Sequence, residues 1–373
     1  MGIDSELEQI AVQVIDFIDR NEAAPLGFDA KTEEDFDRTA LEVFAFQYRR
    51  CDVYRRFCDR RSRTPDTISH WWEIPAVPTS AFKSLELACG PAERTFLTSG
   101  TTAGSEHRGR HHIPRLELYR RSALPHFRRM VLPDGLRPEM LGLLGGPDLL
   151  PDSSLTQMVE WIRMEICDGE GAYLVDGSPF DPARTADRIE EAARSGGPLC
   201  LIGVRVIFTA LLDFCRQTGR QIELPAGSRI VDTGGPKGGR ALSDAGFLRA
   251  CWQFLGVAGY DCINEYGMTE LCSQYYDDVL YERFTGHNRA RRKAGPAWLR
   301  PRIVDPETLE PLEEGETGLV CHIDLANALS VLAVQTEDLG TLEDGRLTLR
   351  GRAPDAIPRG CALALADILQ AQP

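Results

Sequence analysis

The sequence predicts an α/β fold, with β-sheets layered with helices, on two observations. Between residues 139 and 267 strand-like apolar runs (EMLGLLGG, PLCLIGVRVIF, SRIVDTGG, DCINEYG) alternate with helical ones (DPARTADRIEEAARSGG, LSDAGFLRACWQFLG). Such alternation covers a sheet with helices. Beyond residue 295 the texture changes to strands and turns, WLRPRIVDPETLEPLEEGETGLVCHIDL and then VLAVQTEDLGTLEDGRLTLRGR. There Asp344-Gly345 is a hairpin signal, because both residues tolerate positive φ.

The elements before residue 139 follow from periodicity. Leu7, Ile10, Val14, Ile15 and Phe17 recur at helical spacing, so the chain opens with an amphipathic helix over 5–20. A second helical stretch covers 33–62, with TEED as an acidic start. The segment WWEIPAVPTSAFKSLEL has two prolines between short apolar runs and reads as an extended connector, and LELYRRSALPHFRRMVL reads as a helix up to Pro125.

Bulk composition excludes several classes. A chain of 373 residues with 43% hydrophobic and 26% charged residues has the make-up of a globular protein of two or more structural units. The net charge of −14 supplies no cationic field for a general nucleic-acid binder. No apolar run reaches the ~18 residues a membrane helix needs, and the acidic N-terminus is unlike a secretory signal. The eleven cysteines are scattered without a CxxC pair, which argues against a disulfide framework or a zinc site and for the cytoplasm. The cluster HNRARRKAG at 287–295 reads as a solvated loop that could steer an anion.

Residues 97–112, LTSGTTAGSEHRGRHH, raise the question of function. Glycines let backbone approach a ligand, and successive N–H groups with hydroxyls form a concave anion site; the alternative is a flexible surface loop. Residues 100–107 read GTTAGSEH, so the Walker pattern G-x-x-x-x-G-K-[ST] is absent. His111–His112, without carboxylate or cysteine partners, is weak evidence for a metal. Further on, NEYGMTELCSQYYD places Tyr266, Thr269 and Glu270 just after a strand. A ring can stack on a base, a hydroxyl can contact phosphate and a carboxylate can hold Mg²⁺. In TEDLG, Asp338 can accept hydrogen bonds from ribose hydroxyls, and Arg352 in LRGRAPDAI can reach the same sugar.

In this order, SGTT, TGG, YGMTE, TEDLG and GR resemble the acyl-adenylate-forming superfamily of ligases. More closely, the chain resembles the acyl-protein synthetases of bacterial bioluminescence, the long-chain-fatty-acid–luciferin-component ligases. The similar stretches are IPAVPTSAFKSLEL, LTSGTTAGS, SSLTQM, VDTGGPKGGR, NEYGMTELCSQYYD, GETGLVCHIDLANALS, TEDLG and LRGRAPDAIPRGCAL, spanning roughly 74–364. The resemblance implies the large N-terminal domain of adenylate-forming ligases with the C-terminal domain truncated or absent. The expected organisation is a helical N-terminal region over 1–75, an α/β adenylate-forming core over 76–350 and a short C-terminal remnant over 351–373.

The implied reaction has two steps: a carboxylic acid, by family default fatty, attacks the α-phosphate of MgATP, and a thiol then takes the acyl group. Carried over by position, Thr98, Ser99, Gly100, Thr101 and Thr102 cradle the phosphates, and Gly234 and Gly235 lie in the adenine loop. Tyr266 stacks near adenine, Thr269 contacts the α-phosphate, Glu270 binds Mg²⁺, and Asp338 and Arg352 hold the ribose. Where the superfamily loop continues with glycine and lysine, this chain has Ala103 and Gly104, with His107 and Arg108 as the nearest cationic candidates. Lys237 is either a replacement positive charge or a solvated turn lysine. Cys361, two residues after Arg359, matches the acyl-accepting cysteine of the branch; on residue chemistry alone it is either an activated thiol or a small buried residue. The acyl group would pass to a partner such as a reductase, acyltransferase or carrier protein. The alternatives are transfer to CoA or a carrier-protein thiol, in the manner of phenylacetate–CoA ligases, and a non-catalytic subunit that binds a nucleotide or a partner.

Overall fold

A computed structural model of the chain describes residues 3–27, 29–98, 108–235, 242–353 and 368. The chain divides into two compact units: residues 1–123, 268–274 and 292–373 form the first, and residues 124–267 and 275–291 the second.

The chain opens with α1 (Ile3–Asn21), where Leu7, Ile10, Val14, Phe17 and Ile18 form the buried stripe. The single helix expected over 33–62 is two, α2 (Ala30–Arg50) and α3 (Asp52–Arg60), because Cys51 between them is extended (φ −109°, ψ 96°). The N-cap of α2 lies upstream of TEED, at Asp29, whose carboxylate accepts from the Thr32 N–H. The WWEIP segment is not simply extended: it makes 3₁₀ turns at Trp71–Glu73 and Thr79–Lys83, separated by the two-residue strand β1 (Val77–Pro78). Strands β2 (Arg94–Leu97) and β3 (Arg110–Ile113) then form an antiparallel pair.

Helix α4 (Leu116–Val131) does not stop at Pro125 but contains it. A proline inside a helix removes one backbone bond, about 3 kcal/mol. Beyond it Phe127, Met130 and Val131 are wholly buried, and each such side chain returns ~1.5–3 kcal/mol.

The second unit holds strands β4 (Glu139–Gly145), β5 (Gly171–Val175), β6 (Leu199–Val204), β7 (Arg229–Thr233), β8 (Cys262–Tyr266) and β9 (Tyr275–Asp277). Their order in the sheet is β5-β4-β6-β7-β8-β9, parallel except for the last pair. Its helices are α5 (Ser154–Trp161), α6 (Pro182–Ala193), α7 (Arg205–Thr218), α8 (Asp244–Leu255) and the short α9 (Val279–Phe284). The run PLCLIGVRVIF is strand only to Val204; RVIF is the first turn of α7, whose buried Phe208, Leu211, Leu212 and Cys215 keep helical spacing. Helices α6, α7 and α8 pack a core against β4, β6 and β7, with Leu141, Leu201, Phe208 and Phe247 at its centre. In SSLTQM, Ser153 caps α5 by accepting from the Thr156 N–H.

In the first unit β10 (Lys293–Ala294), β11 (Leu299–Val304), β12 (Gly318–Asp324), β13 (Ala333–Glu343) and β14 (Arg346–Arg352) pair in the order β11-β12-β13-β14-β10. Strand β1 adds in parallel to the start of β13. The hairpin expected at Asp344-Gly345 joins β13 to β14, with φ of 51° and 69° at the two turn residues. HNRARRKAG is less solvated than its charge implies. The Arg291 guanidinium donates to the Asp277 carboxylate and to the Cys262 and Gly259 carbonyls, and Lys293 is buried in β10.

Candidate active site

The residues expected to bind a nucleotide fall into two groups, one on each unit. In the second unit they stand at the carboxyl ends of adjacent parallel strands, where α/β sheets bind ligands. Gly234 and Gly235 follow β7, and Tyr266 ends β8. Gly234 has φ +84°, a backbone state that favours glycine. Among the described residues nothing lies within 4 Å of where a Cβ on either glycine would be. Tyr266 is half-buried, with its ring 5.8 Å from that of Tyr275 on the neighbouring strand.

Polar residues outside the expected set fix these strand ends. Asn264 Nδ2 donates to the Asp232 carboxylate (2.8 Å) and to the Gly234 carbonyl (3.3 Å), and the Thr233 hydroxyl donates to the Glu265 carboxylate. Arg205, at the start of α7, pairs with Asp232 (2.5 Å) and Asp244 (3.1 Å) and lies over the Phe247 ring. Arg205 is therefore a buried tie between α7, β7 and α8.

The first unit carries Thr98, Thr269, Glu270, Asp338 and Arg352. Thr98 closes the base of the Ser/Gly/Thr loop: its N–H donates to the Gly109 carbonyl (2.9 Å), and its hydroxyl accepts from the Gly109 N–H (2.8 Å). Arg108, a cationic candidate, directs its guanidinium to the Thr98 and Leu97 carbonyls. Ser99, Gly100, Thr101, Thr102, His107, Lys237 and Cys361 lie outside the described residues.

Glu270 is the electrostatic centre of this group. Only 8% of it is exposed, and burial pushes its carboxyl up to about 7 from an ordinary 4.5. The positive charges of Arg352 and Lys83 pull it down, and Asp338 pushes it up. All three groups therefore act on Glu270, although their positions run from 83 to 352. Asp338 and Arg352 are cross-strand partners on β13 and β14, with Arg352 Nε donating to Asp338 Oδ1 at 3.1 Å. Lys83, on the 3₁₀ turn after β1, had no role legible in the sequence.

A buried polar frame holds the Thr269–Glu270 turn. His111 bonds the Thr269 carbonyl, and Asn327 Nδ2 donates to the Glu270 carbonyl at 2.8 Å. Asp324 accepts from the Cys272 N–H (3.0 Å) and the Ser273 hydroxyl (2.6 Å). Its own burial raises its pKa to about 6. Asp324, Asn327 and Ser330 stand every third residue in HIDLANALS, which was the only available signal for this frame. His111 belongs to it and not to a metal centre: among the described residues no three His, Cys, Asp or Glu side chains group as metal ligands.

A buried carboxylate with no hydrogen-bonding side chain among the described residues, under the charges of two cations and a second carboxylate, suits a polyphosphate and the divalent ion that travels with it. Solved structures of adenylate-forming ligases share the architecture; one is a 2-hydroxyisobutyryl-CoA ligase in the postadenylation state with 2-HIB-AMP. The likeness covers 88% of this chain and 70% of that one at 14% identity, with a TM-score of 0.64. The chain spans about half, 49%, of the length of ATP-bound MatB from Rhodopseudomonas palustris (18% identity over 70% of this chain, TM-score 0.47).

The chain belongs to the acyl-protein synthetase family, LuxE, whose family model matches residues 172–370. Two long-chain-fatty-acid–luciferin-component ligases resemble it over 90% of its length and 88% of theirs: that of Aliivibrio fischeri at 26% identity and that of Vibrio harveyi at 24%. The protein is thus an acid–thiol ligase, a class that activates an acyl group as its adenylate and passes it to a thiol. Among the described residues no helix is long and apolar enough to cross a membrane.

Proposed function

We propose that this protein uses ATP to activate a carboxylic acid of the fatty class and loads the acyl group onto Cys361, from which a partner enzyme or carrier collects it in the cytoplasm. The observation that carries this reading is the group around Glu270: a buried carboxylate next to Thr269, under the charges of Arg352, Lys83 and Asp338. In the first step a carboxylate oxygen of the acid bonds to the α-phosphorus, and the bond to the bridging oxygen breaks. Pyrophosphate leaves with the electron pair. Thr269 would donate to an α-phosphate oxygen, and the basic side chains would hold the charge that builds there. Asp338 would accept from the ribose hydroxyls, with Arg352 beside it. Gly234, Gly235 and Tyr266 would seat the adenine, and Thr98 to Thr102 with Lys237 the leaving phosphates.

The residues suit a magnesium ion, since Mg²⁺ is typically held by one or two carboxylates with substrate phosphates and water completing its shell. Glu270 is the residue that would hold it, and the ion would neutralise phosphate charge. In the second step the Cys361 thiolate sulfur bonds to the acyl carbon, AMP leaves with the electron pair, and the thiol proton goes to solvent. Support for Cys361 is its match to the family pattern and its place within the residues the family model covers.

The test is intact-protein mass after incubation with MgATP and a panel of carboxylic acids, on wild type and Cys361→Ser. A hydroxylamine-labile acyl mass on the wild type alone supports the reading and identifies the acid. Adenylate formed by both proteins with no added mass moves the acceptor to CoA or a carrier thiol. No pyrophosphate release with any acid would refute activation itself.

A further inference from the structure

One buried imidazole in the first unit touches the elements that carry its candidate site residues. His111 is 1% exposed and lies on β3, two residues beyond Gly109, which closes the Ser/Gly/Thr loop onto Thr98. Its Nδ1 is 2.7 Å from the Thr269 carbonyl oxygen and its Nε2 is 2.9 Å from Ser330 Oγ. A carbonyl can only accept, so Nδ1 carries the proton and donates, and Nε2 of the neutral ring accepts from the Ser330 hydroxyl. Burial favours that neutral form, holding the ring down to about 4. Phe82, next to Lys83, meets the same ring edge to face at 5.5 Å. The strand leaving the loop, the turn bearing Thr269 and Glu270, and the turn bearing Lys83 therefore converge on one side chain.

We propose that His111 is a positioning residue for acyl activation: it fixes the Thr269–Glu270 turn against β3, so that the turn's hydroxyl and carboxylate are held in one place. The inference rests on the roles given above to Thr269 and Glu270. A phenyl ring at this position could still meet Phe82 edge to face. What a phenyl ring lacks is the donor to Thr269. A catalytic group displaced by about 1 Å loses on the order of 100-fold in rate, so the effect belongs in kcat.

The full-length protein with His111→Phe, which keeps an aromatic ring, and His111→Asn, which keeps a donor near the Nδ1 position, provides the test. Two readouts are taken on each: acid-dependent ATP–pyrophosphate exchange, and amide hydrogen exchange of residues 268–273. In that segment the Leu271 N–H bonds the Met268 carbonyl and the Cys272 N–H bonds Asp324 and Asn327. His111→Phe should lower kcat by roughly 10- to 100-fold with KM for MgATP within about 3-fold, and speed amide exchange in 268–273. His111→Asn should recover most of both. Unchanged amide exchange in His111→Phe, or His111→Asn no better than His111→Phe, overturns the proposal. If wild type catalyses no pyrophosphate exchange while His111→Phe still loosens the turn and His111→Asn does not, the histidine's hold on the turn stands and the nucleotide reading falls. Should His111→Phe not fold, Ser330→Ala carries the test: faster exchange in 268–273 with a several-fold loss of kcat supports the proposal, and neither effect overturns it.

Discussion

Replacing Glu270 by glutamine separates what this carboxyl does for the site from what it does to the fold. In the unfolded chain the group ionises near 4.5 and in the folded protein at about 7, because burial disfavours the charge more than Arg352 and Lys83 favour it. The sign follows from linkage. Below 4.5 the carboxyl is neutral in both states and contributes no difference. Between 4.5 and 7 the unfolded chain ionises the group while the folded protein keeps it neutral, so stability is lost across that window; above 7 the folded protein holds the buried charge and the loss is complete. At ~1.4 kcal/mol per tenfold change in ionisation, the loss is about 1 kcal/mol at pH 5 and about 3 kcal/mol at pH 8. Glutamine fills the same space and never ionises. Glu270→Gln should therefore be the more stable protein at pH 8 by about 3 kcal/mol, or about 4 °C in melting temperature for 373 residues, while its activation of acids is abolished. The assay is thermal or urea unfolding of both proteins at pH 5 and pH 8 with a chelator present. A variant no more stable than wild type at pH 8, or a gap that does not widen with pH, would refute the reasoning.

Three further outcomes are expected. Asp338→Asn should raise KM for ATP by roughly 10-fold or more through a weaker ribose contact; its melting temperature should scarcely move, because the Arg352 partner is 69% exposed. Arg205→Met takes the guanidinium away from the buried Asp232 carboxylate and should cost about 3–5 kcal/mol in urea unfolding, most of it regained by adding Asp232→Asn. His322 is wholly buried on β12, and burial depresses its pKa to about 3. Its folded state refuses a proton that the unfolded chain takes up near 6.5, so stability is lost as pH falls from 6.5 towards 3. Relative to His322→Leu, wild type should lose about 2 kcal/mol in urea unfolding between pH 7.5 and pH 5.

The sequence alone determined the α/β class, most strands and helices of the second unit, the hairpin at Asp344-Gly345 and the order of the short motifs that carry the family resemblance. All of these are local: a periodicity, a turn dipeptide or a short run of residue types suffices to state them. Its errors were local too, where two states share one pattern. PLCLIGVRVIF is apolar throughout, and only helical burial of Phe208, Leu211 and Leu212 divides it after Val204. Pro125 signals a helix end, but burial beyond it outweighs one missing hydrogen bond.

What only the tertiary structure decided is which distant residues act together. Lys83 affects Glu270 although 187 positions separate them, and His111 reaches Thr269 across 158. No spacing rule relates such pairs, because the sheet and the turns beside it set the distances. The structure also decided the state of charge: Glu270, His111 and His322 are ordinary ionisable residues as letters, and each departs from its usual titration because the folded chain has taken water away from it. Motif chemistry is written in neighbouring residues, whereas desolvation is produced by the packing of all the others.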